Sequence, residues 1–174
     1  MYLDNNYKDI ITVFNKYNVK YIVAGAFAMS KVGYSRSTYD IDLWIEKTKE
    51  NAINIYHALD EFGVPFSIEP DDFLKEKSVL QIGIKPCRID ILTDIDGLDF
   101  TNAWENSSLV DFGGLKARSL SISDLIINKT ATNRPKDKLD LEQLKALAQI
   151  TEKELSLSDY AKKYDSDKNK DLGV

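Results

Sequence analysis

Asp40 and Asp42 stand one residue apart in an otherwise apolar run, Asp40-Ile41-Asp42-Leu43-Trp44-Ile45. On a β-strand successive side chains alternate between faces, so the two carboxylates share one face while Ile41, Leu43 and Ile45 share the other. Their Cα atoms then lie roughly 7 Å apart, and side chains from that spacing can converge on one or two hard divalent cations. Two like charges on one strand face cost stability unless a cation or a basic partner compensates them. The pair therefore points to metal-assisted chemistry on an oxygen-ligated Mg²⁺ or Mn²⁺.

The segment before it could position an anion. Lys20-Tyr21-Ile22-Val23-Ala24 reads as a buried strand, Gly25-Ala26 as a tight turn, and Phe27-Ala28-Met29-Ser30 as the start of a helix. A strand, a small-residue turn and a helix N-terminus make an anion site, because the first helical amides have no partner inside the helix. Thirteen residues separate Ala26 from Asp40, among them Gly33, Ser35, Arg36, Ser37 and Thr38. A phosphate cradle and a metal clamp thus lie in one short stretch of chain.

In this order, Val23-Ala24-Gly25-Ala26 … Arg36-Ser37-Thr38-Tyr39-Asp40-Ile41-Asp42-Leu43 resembles the signature of the polymerase-β-like nucleotidyltransferases. The Arg-x-Thr-x-Asp-Ile-Asp-Leu form is similar to the bacterial branch of abortive-infection and toxin–antitoxin enzymes. The second turn residue is Ala26, where the signature carries Gly or Ser. The resemblance implies Asp40 and Asp42 as metal ligands, with Gly25, Ala26, Arg36 and Thr38 at the nucleotide. It also calls for a third carboxylate from a neighbouring strand. Asp90, in Cys87-Arg88-Ile89-Asp90-Ile91-Leu92, is the candidate. Arg88, Asp90 and Leu92 share one face there. Val79-Leu80-Gln81-Ile82-Gly83-Ile84 reads as the partner strand of a hairpin turning at Lys85-Pro86, with the Asp90 strand beside the Asp40–Asp42 strand. Arg88 reads equally as an ion-pair partner for one of the acids or as a substrate contact. Asp94, Asp96 and Asp99 read as a solvated turn, since a calcium loop would need further oxygen ligands.

Ser121-Ile122-Ser123-Asp124 opens a helix that leads to Asn128-Lys129. Pro135 fits the first position of the next helix, with Leu139, Leu141, Leu144 and Leu147 as its apolar stripe. Lys129 … Arg134-x-Lys136-Asp137-x-x-Asp140 looks like the C-terminal helical motif of the same toxin-like branch. That likeness implies Lys129 and Arg134, and less directly Lys136, against the triphosphate, with an Asp to position them. The charge distribution agrees. Residues 39–111 hold 16 acidic and 6 basic side chains, and residues 115–138 hold 6 basic and 2 acidic. An acidic half suits a metal and a basic half suits phosphates.

The remaining features bound the answer. The chain has 174 residues and 43% hydrophobic content, enough for one core with a helical appendage. Its net charge of −5 argues against broad non-specific nucleic-acid binding. Asp4 reads as the N-cap of a first helix. Thr48 caps another, with Ile53, Tyr56, Leu59 and Phe62 on one side and Gly63 at its end. Trp44 and Trp104 read as packing residues. His57, the single histidine, lies in a helical pattern, and the single cysteine, Cys87, excludes an internal disulfide or a cysteine-built zinc site. No apolar stretch reaches membrane-spanning length and the start is no signal peptide, so a cytoplasmic location is expected.

The expected fold is α/β (α+β), a minimal nucleotidyltransferase domain. A short mixed sheet carries the acids, helices pack on its other face, and a C-terminal helical segment closes the cleft. The expected organisation is a core over 1–120, the helical segment over 121–155 and a frayed or disordered tail over 156–174. Two readings of function stay open. In one, an enzyme moves a nucleoside monophosphate from an NTP to an RNA end, a protein hydroxyl or a small molecule such as an aminoglycoside or lincosamide. In the other, the same fold binds a nucleotide or a partner chain, such as an antitoxin, without turnover.

Overall fold

The computed structural model describes residues 4–65 and 67–171, with side chains described as far as residue 153. The expected loose tail over 156–174 therefore lies beyond the described side chains. Helix α1 (Asn5–Lys16) is followed by β1 (Tyr21–Ala24), α2 (Gly25–Lys31), β2 (Asp40–Ile45) and α3 (Lys49–Phe62). A 3-10 turn over Pro70–Leu74 leads to β3 (Val79–Ile82) and β4 (Arg88–Leu92). Then come α4 (Phe100–Asn106), β5 (Ser108–Asp111), β6 (Lys116–Ser119), α5 (Ile122–Thr132) and α6 (Pro135–Asp171). Among the described residues the strands form one mixed sheet in the order β3-β4-β2-β1-β6-β5. β2 runs parallel to β4 and β1 parallel to β6, while the other neighbours are antiparallel.

The caps follow from local chemistry. Asp4 Oδ1 accepts from the Asn6 amide at 2.9 Å and starts α1, and Thr48 Oγ1 accepts from the Asn51 amide at 3.2 Å and starts α3. Gly63, at φ 82°, ends α3 in the left-handed conformation that favours glycine. Asn51 is buried, and its side-chain amide takes the Lys20 N–H at 2.7 Å and donates to the Lys20 and Glu46 carbonyls at 2.9 Å. That amide ties the start of α3 to the segments bordering β1 and β2.

The period-two alternation of the strands divides the molecule into two cores. On one face Val23, Ile41, Leu43, Ile45, Ile89 and Ile91 pack against Ile10 and Phe14 of α1 and Ile55 and Leu59 of α3. On the other face Ile22, Ala24 and Trp44 meet Ala28 and Met29 of α2, Ala103 of α4, Leu125 of α5 and Leu144 of α6. Asp40, Asp42 and Asp90 belong to this second face, by the same alternation that places Trp44 there. The expected division near residue 120 falls in the link between β6 and α5. Leu125 and Leu144 nonetheless share a core with the sheet, so the helical segment packs directly on the domain.

Three local expectations are corrected. The buried stripe of α3 is Ala52, Ile55, Ala58 and Leu59, while Ile53 and Tyr56 are exposed. Small alanines let the helix sit close on the sheet; Ile53 and Tyr56 of the expected stripe turn outward, while Leu59 and Phe62 stay against the core. On α6 the inward positions are Asp137, Asp140 and Leu144, with Leu139 exposed. Of the expected stripe Leu144 is buried, and the inward face continues toward the helix start through two carboxylates, Asp137 and Asp140, which cations from elsewhere in the chain compensate. β3 ends at Ile82, because Gly83 at φ 78° leaves the extended region and opens a longer turn.

Trp44 and Trp104 pack as expected. Trp44 is buried, donates its indole N–H to the Thr93 carbonyl at 3.3 Å and meets Phe100 edge-on. Trp104 stacks on Phe100 beneath the Arg118 guanidinium. His57 sits between Tyr17 and Tyr56, on the face away from the acids. No helix among the described residues is long and apolar enough to cross a membrane.

Candidate active site

The parallel pairing of β2 with β4 sets Asp42 directly beside Asp90 and Asp40 beside Arg88. Neighbouring strands lie about 4.8 Å apart, so the three acids occupy a patch only two strands wide. They line a cleft of about 580 Å³ together with Gly25 and Ala26, Arg36 and Thr38, and Lys129, Arg134 and Lys136. Every expected site residue thus faces one space.

Gly25 is dictated by the acid opposite it. β1 pairs antiparallel with β2, with Ala24 beside Asp42, so the chain turns into α2 against the Asp42 carboxylate. Gly25 adopts φ +58°, and a Cβ there would fall 1.9 Å from Asp42 Oδ2. Only glycine fits that approach in that conformation. Ala24 offers no side-chain cap to α2, and no acidic residue lies in the first turn. Ala26 is buried in the second core, so its small size serves packing as well as the turn.

The three carboxylates have different surroundings. Asp40 accepts from Thr38 Oγ1 at 2.6 Å and from Arg88 Nη2 at 2.7 Å. Asp90 is buried and takes a two-pronged contact from Arg88, Nε to Oδ1 at 2.7 Å and Nη2 to Oδ2 at 2.8 Å. Arg88, left open between two roles by the sequence, is therefore an ion-pair partner of both acids. Asp42 has neither a hydrogen-bond nor an ion-pair partner among the described residues. Burial, then the charges of Asp40 and Asp90, push its carboxyl up from 3.8 to about 6, against the pull of Lys129 and Lys136.

The basic wall is also internally paired in part. Lys129 is buried, with its ammonium 2.7 Å from Asp137 and 3.4 Å from Asp140. Asp137 also accepts from Thr132 Oγ1 at 2.7 Å, and these contacts hold its carboxyl below the usual range against the opposing effect of burial. Arg36 reaches across to Asp140, Nε to Oδ1 at 3.0 Å. This network locks the start of α6 to α5 and to the loop before β2. Arg134 and Lys136 line the cleft, and neither side chain has an ion-pair partner among the described residues.

The Asp94–Asp99 segment forms the expected turn, though it also borders the cleft. Asp94 pairs with Lys47 at 2.7 Å and accepts from the Lys77 amide, and Asp99 caps α4. Sequence reasoning did not anticipate Lys77, Val79 and Gln81, which line the cleft from β3 and the residues before it. Gln81 lies opposite Asp90 in the register, a placement readable from the hairpin alternation.

This is the architecture of a nucleotidyltransferase: an acidic strand pair, a glycine turn against one of the acids, and basic helices across a cleft. A family model described as "Nucleotidyltransferase of unknown function (DUF6036)" matches residues 1–171, and the chain belongs to that family. No curated protein matches the sequence. Two solved structures share the fold. One is a Thermotoga maritima protein, TM1012, described as a candidate nucleotidyltransferase. It is 22% identical, with a TM-score of 0.50, over 86% of this chain and 89% of that one. The other is the lincosamide antibiotic adenylyltransferase LnuA with lincomycin bound. It is 15% identical, with a TM-score of 0.57, over 84% of this chain and 98% of that one.

Proposed function

We propose that this nucleotidyltransferase transfers a nucleoside monophosphate from an NTP to an acceptor hydroxyl and releases pyrophosphate, with a divalent metal at Asp40, Asp42 and Asp90. The observation that carries the reading is the registration of Asp42 beside Asp90 with Gly25 closed onto Asp42. Oxygen-only donors on two adjacent strands suit a hard cation such as Mg²⁺ or Mn²⁺. When bound, the metal would supply charge neutralisation at the reacting phosphate and acidify the attacking hydroxyl.

The chain's own groups account for the rest. Glycine at position 25 leaves the turn free of a side chain, so a phosphate can approach the first amides of α2. Arg134 and Lys136 face the cleft without an ion-pair partner among the described residues, free to draw the β- and γ-phosphates away from the acids. That orientation sets the leaving pyrophosphate opposite the acceptor for in-line displacement. Lys129 and Arg36 act mainly by fixing α6, which carries Lys136, at its distance from Asp42. Thr38 holds one Asp40 oxygen and so fixes the rotamer of that acid. Asp90, set beside Asp42 by the strand register, is the acid assigned to receive the acceptor proton.

The likeness to a lincosamide adenylyltransferase supports testing small-molecule hydroxyls beside RNA ends and protein hydroxyls as acceptors. A toxin or phage-defence role with an antitoxin partner remains part of this proposal, on the likeness of the Arg36–Leu43 segment and the 129–140 motif. The test is incubation with each α-labelled NTP, Mg²⁺ and whole-cell extract, followed by separation of RNA, protein and small molecules. Label in one fraction with stoichiometric pyrophosphate supports transfer. No label and no pyrophosphate with any NTP in Mg²⁺ or Mn²⁺ refutes it.

A further inference from the structure

We propose that Arg88 is the resident counter-ion of the acidic site, and that its guanidinium and a divalent cation exclude each other at Asp40 and Asp90. The inference rests on the metal-dependent reading above and adds how the site admits its metal.

The hydrogen bonds carry it. Arg88 occupies both oxygens of Asp90, at 2.7 and 2.8 Å, and one oxygen of Asp40, at 2.7 Å. Thr38 occupies the other Asp40 oxygen at 2.6 Å. Only the Asp42 carboxylate keeps both oxygens without a partner among the described residues of this trio. A hard cation needs about six oxygen ligands. Among the described residues, no group of three or more acidic, histidine or cysteine side chains is arranged to hold a metal ion as it stands. The backbone register is already right for convergence, since Asp42 and Asp90 are side by side. What separates the carboxylates functionally is the guanidinium bridging Asp40 and Asp90.

The bridge is built to move. Arg88 sits at the start of β4, its side chain is 22% exposed, and it borders the open cleft. Its long stem allows the guanidinium to swing into the cleft without backbone change. A divalent ion at the acids would repel the guanidinium, and a triphosphate in the cleft would attract it. The protein alone should therefore hold metal weakly, and metal should enter together with the nucleotide. Without metal, the same guanidinium holds Asp40 and Asp90 in place by offsetting their charges.

The test measures Mn²⁺ binding directly, by the loss of the free-ion electron paramagnetic signal, on the full chain. Wild type, Arg88→Met and Arg88→Lys are titrated with and without a non-hydrolysable NTP analogue, each against a protein-free control that subtracts the Mn²⁺ held by the analogue itself. Arg88→Met removes the charge and keeps much of the stem, so Mn²⁺ alone should bind at least about tenfold more tightly than in wild type. Arg88→Lys keeps a point charge that cannot fork two acids, and should fall between them. Equal or weaker Mn²⁺ binding in a folded Arg88→Met would overturn the proposal. If that variant does not fold, unchanged affinity in Arg88→Lys would do the same. The two readings separate cleanly. Wild type that takes no Mn²⁺ even with the analogue removes the metal-dependent reading itself. Wild type that binds with the analogue, beside variants that gain nothing, removes only the role of Arg88.

Discussion

Asp42→Asn should make the metal-free protein more stable while abolishing transfer. In the fold, Asp42 is withdrawn from water against the Gly25 backbone and lies between Asp40 and Asp90 with no hydrogen-bond or ion-pair partner among the described residues, so burial first, and then the two neighbouring charges, raise its carboxyl from 3.8 to about 6. A folded-state value above the unfolded one means that the folded chain binds more protons between about pH 4 and 6. Wild-type stability therefore falls as pH rises through that window, and the whole penalty stands at neutral pH. A rise of that size costs at most about 3 kcal/mol. For a chain of this size each kcal/mol moves the melting temperature by about 2–4 °C. Water in the open cleft relieves part of the cost, so a gain of about 3–8 °C is expected at pH 7.5.

The assay is thermal melting of both proteins in chelator from pH 4 to 8, read as the difference between them. Because all other titrating groups are shared, the difference reports Asp42 together with its coupling to Asp40 and Asp90. It should be near zero at pH 4, open between pH 4 and 6, and stay level above. Millimolar Mg²⁺ with an NTP should close it by stabilising wild type alone. A difference independent of pH, or an Asp42→Asn protein less stable at pH 7.5, would refute the electrostatic account of the site.

The cleft walls supply three more tests. Gly25→Ala places a Cβ where Asp42 Oδ2 now lies, in a left-handed conformation, so it should lose at least about 1 kcal/mol in denaturant titration and most transfer activity. Lys129→Met leaves Asp137 and part of Asp140 buried without their cation, and should cost about 3 kcal/mol or more in the same titration. Lys136→Ala should leave the melting temperature unchanged and raise the apparent KM for NTP, because its side chain faces the cleft without an ion-pair partner among the described residues. An unchanged KM would reduce Lys136 to a surface charge.

How much of the fold and site is legible in the sequence depends on whether the signal is local. Alternation places Asp40 and Asp42 on one face, and the hairpin pattern sets β3 beside β4, because both follow from strand period and a short connection. The place of β4 beside β2, with Asp90 next to Asp42, is what the family resemblance implied and the register bears out. Helix caps at Asp4, Thr48 and Ser121 are readable for the same reason. The partners of the charged residues are not. Arg36 and Asp140 are 104 positions apart, and Arg88 and Asp40 are 48 apart. No periodicity links such pairs. The α6 stripe departs from the apolar pattern because Asp137 and Asp140 occupy inward positions, with cations supplied by distant segments. The α3 stripe escapes the pattern because alanine carries little hydrophobic signal even where it makes the closest contact.

The internal pairing also says what kind of ligand the cleft is charged to receive. Arg88 satisfies Asp40 and Asp90, while Lys129 and Arg36 satisfy Asp137 and Asp140. After that cancellation the cleft retains charges of both signs without an ion-pair partner among the described residues: the carboxylate of Asp42 on the sheet and of Asp96 at its border, and the cations Arg134 and Lys136 on the helical side and Lys77 before β3. A simple anion would be drawn to the cations and repelled by Asp42, and a simple cation would meet the reverse. A metal–triphosphate carries both signs, with its cation at one end of a chain of phosphates, and matches the retained charges. Neither wall alone should bind well, so NTP and divalent metal should each raise the affinity for the other by the same factor. Calorimetric titration of NTP with and without Mn²⁺, and of Mn²⁺ with and without NTP, measures both sides of that coupling. Independent binding of the two would contradict the charge complementarity from which the proposed function is built.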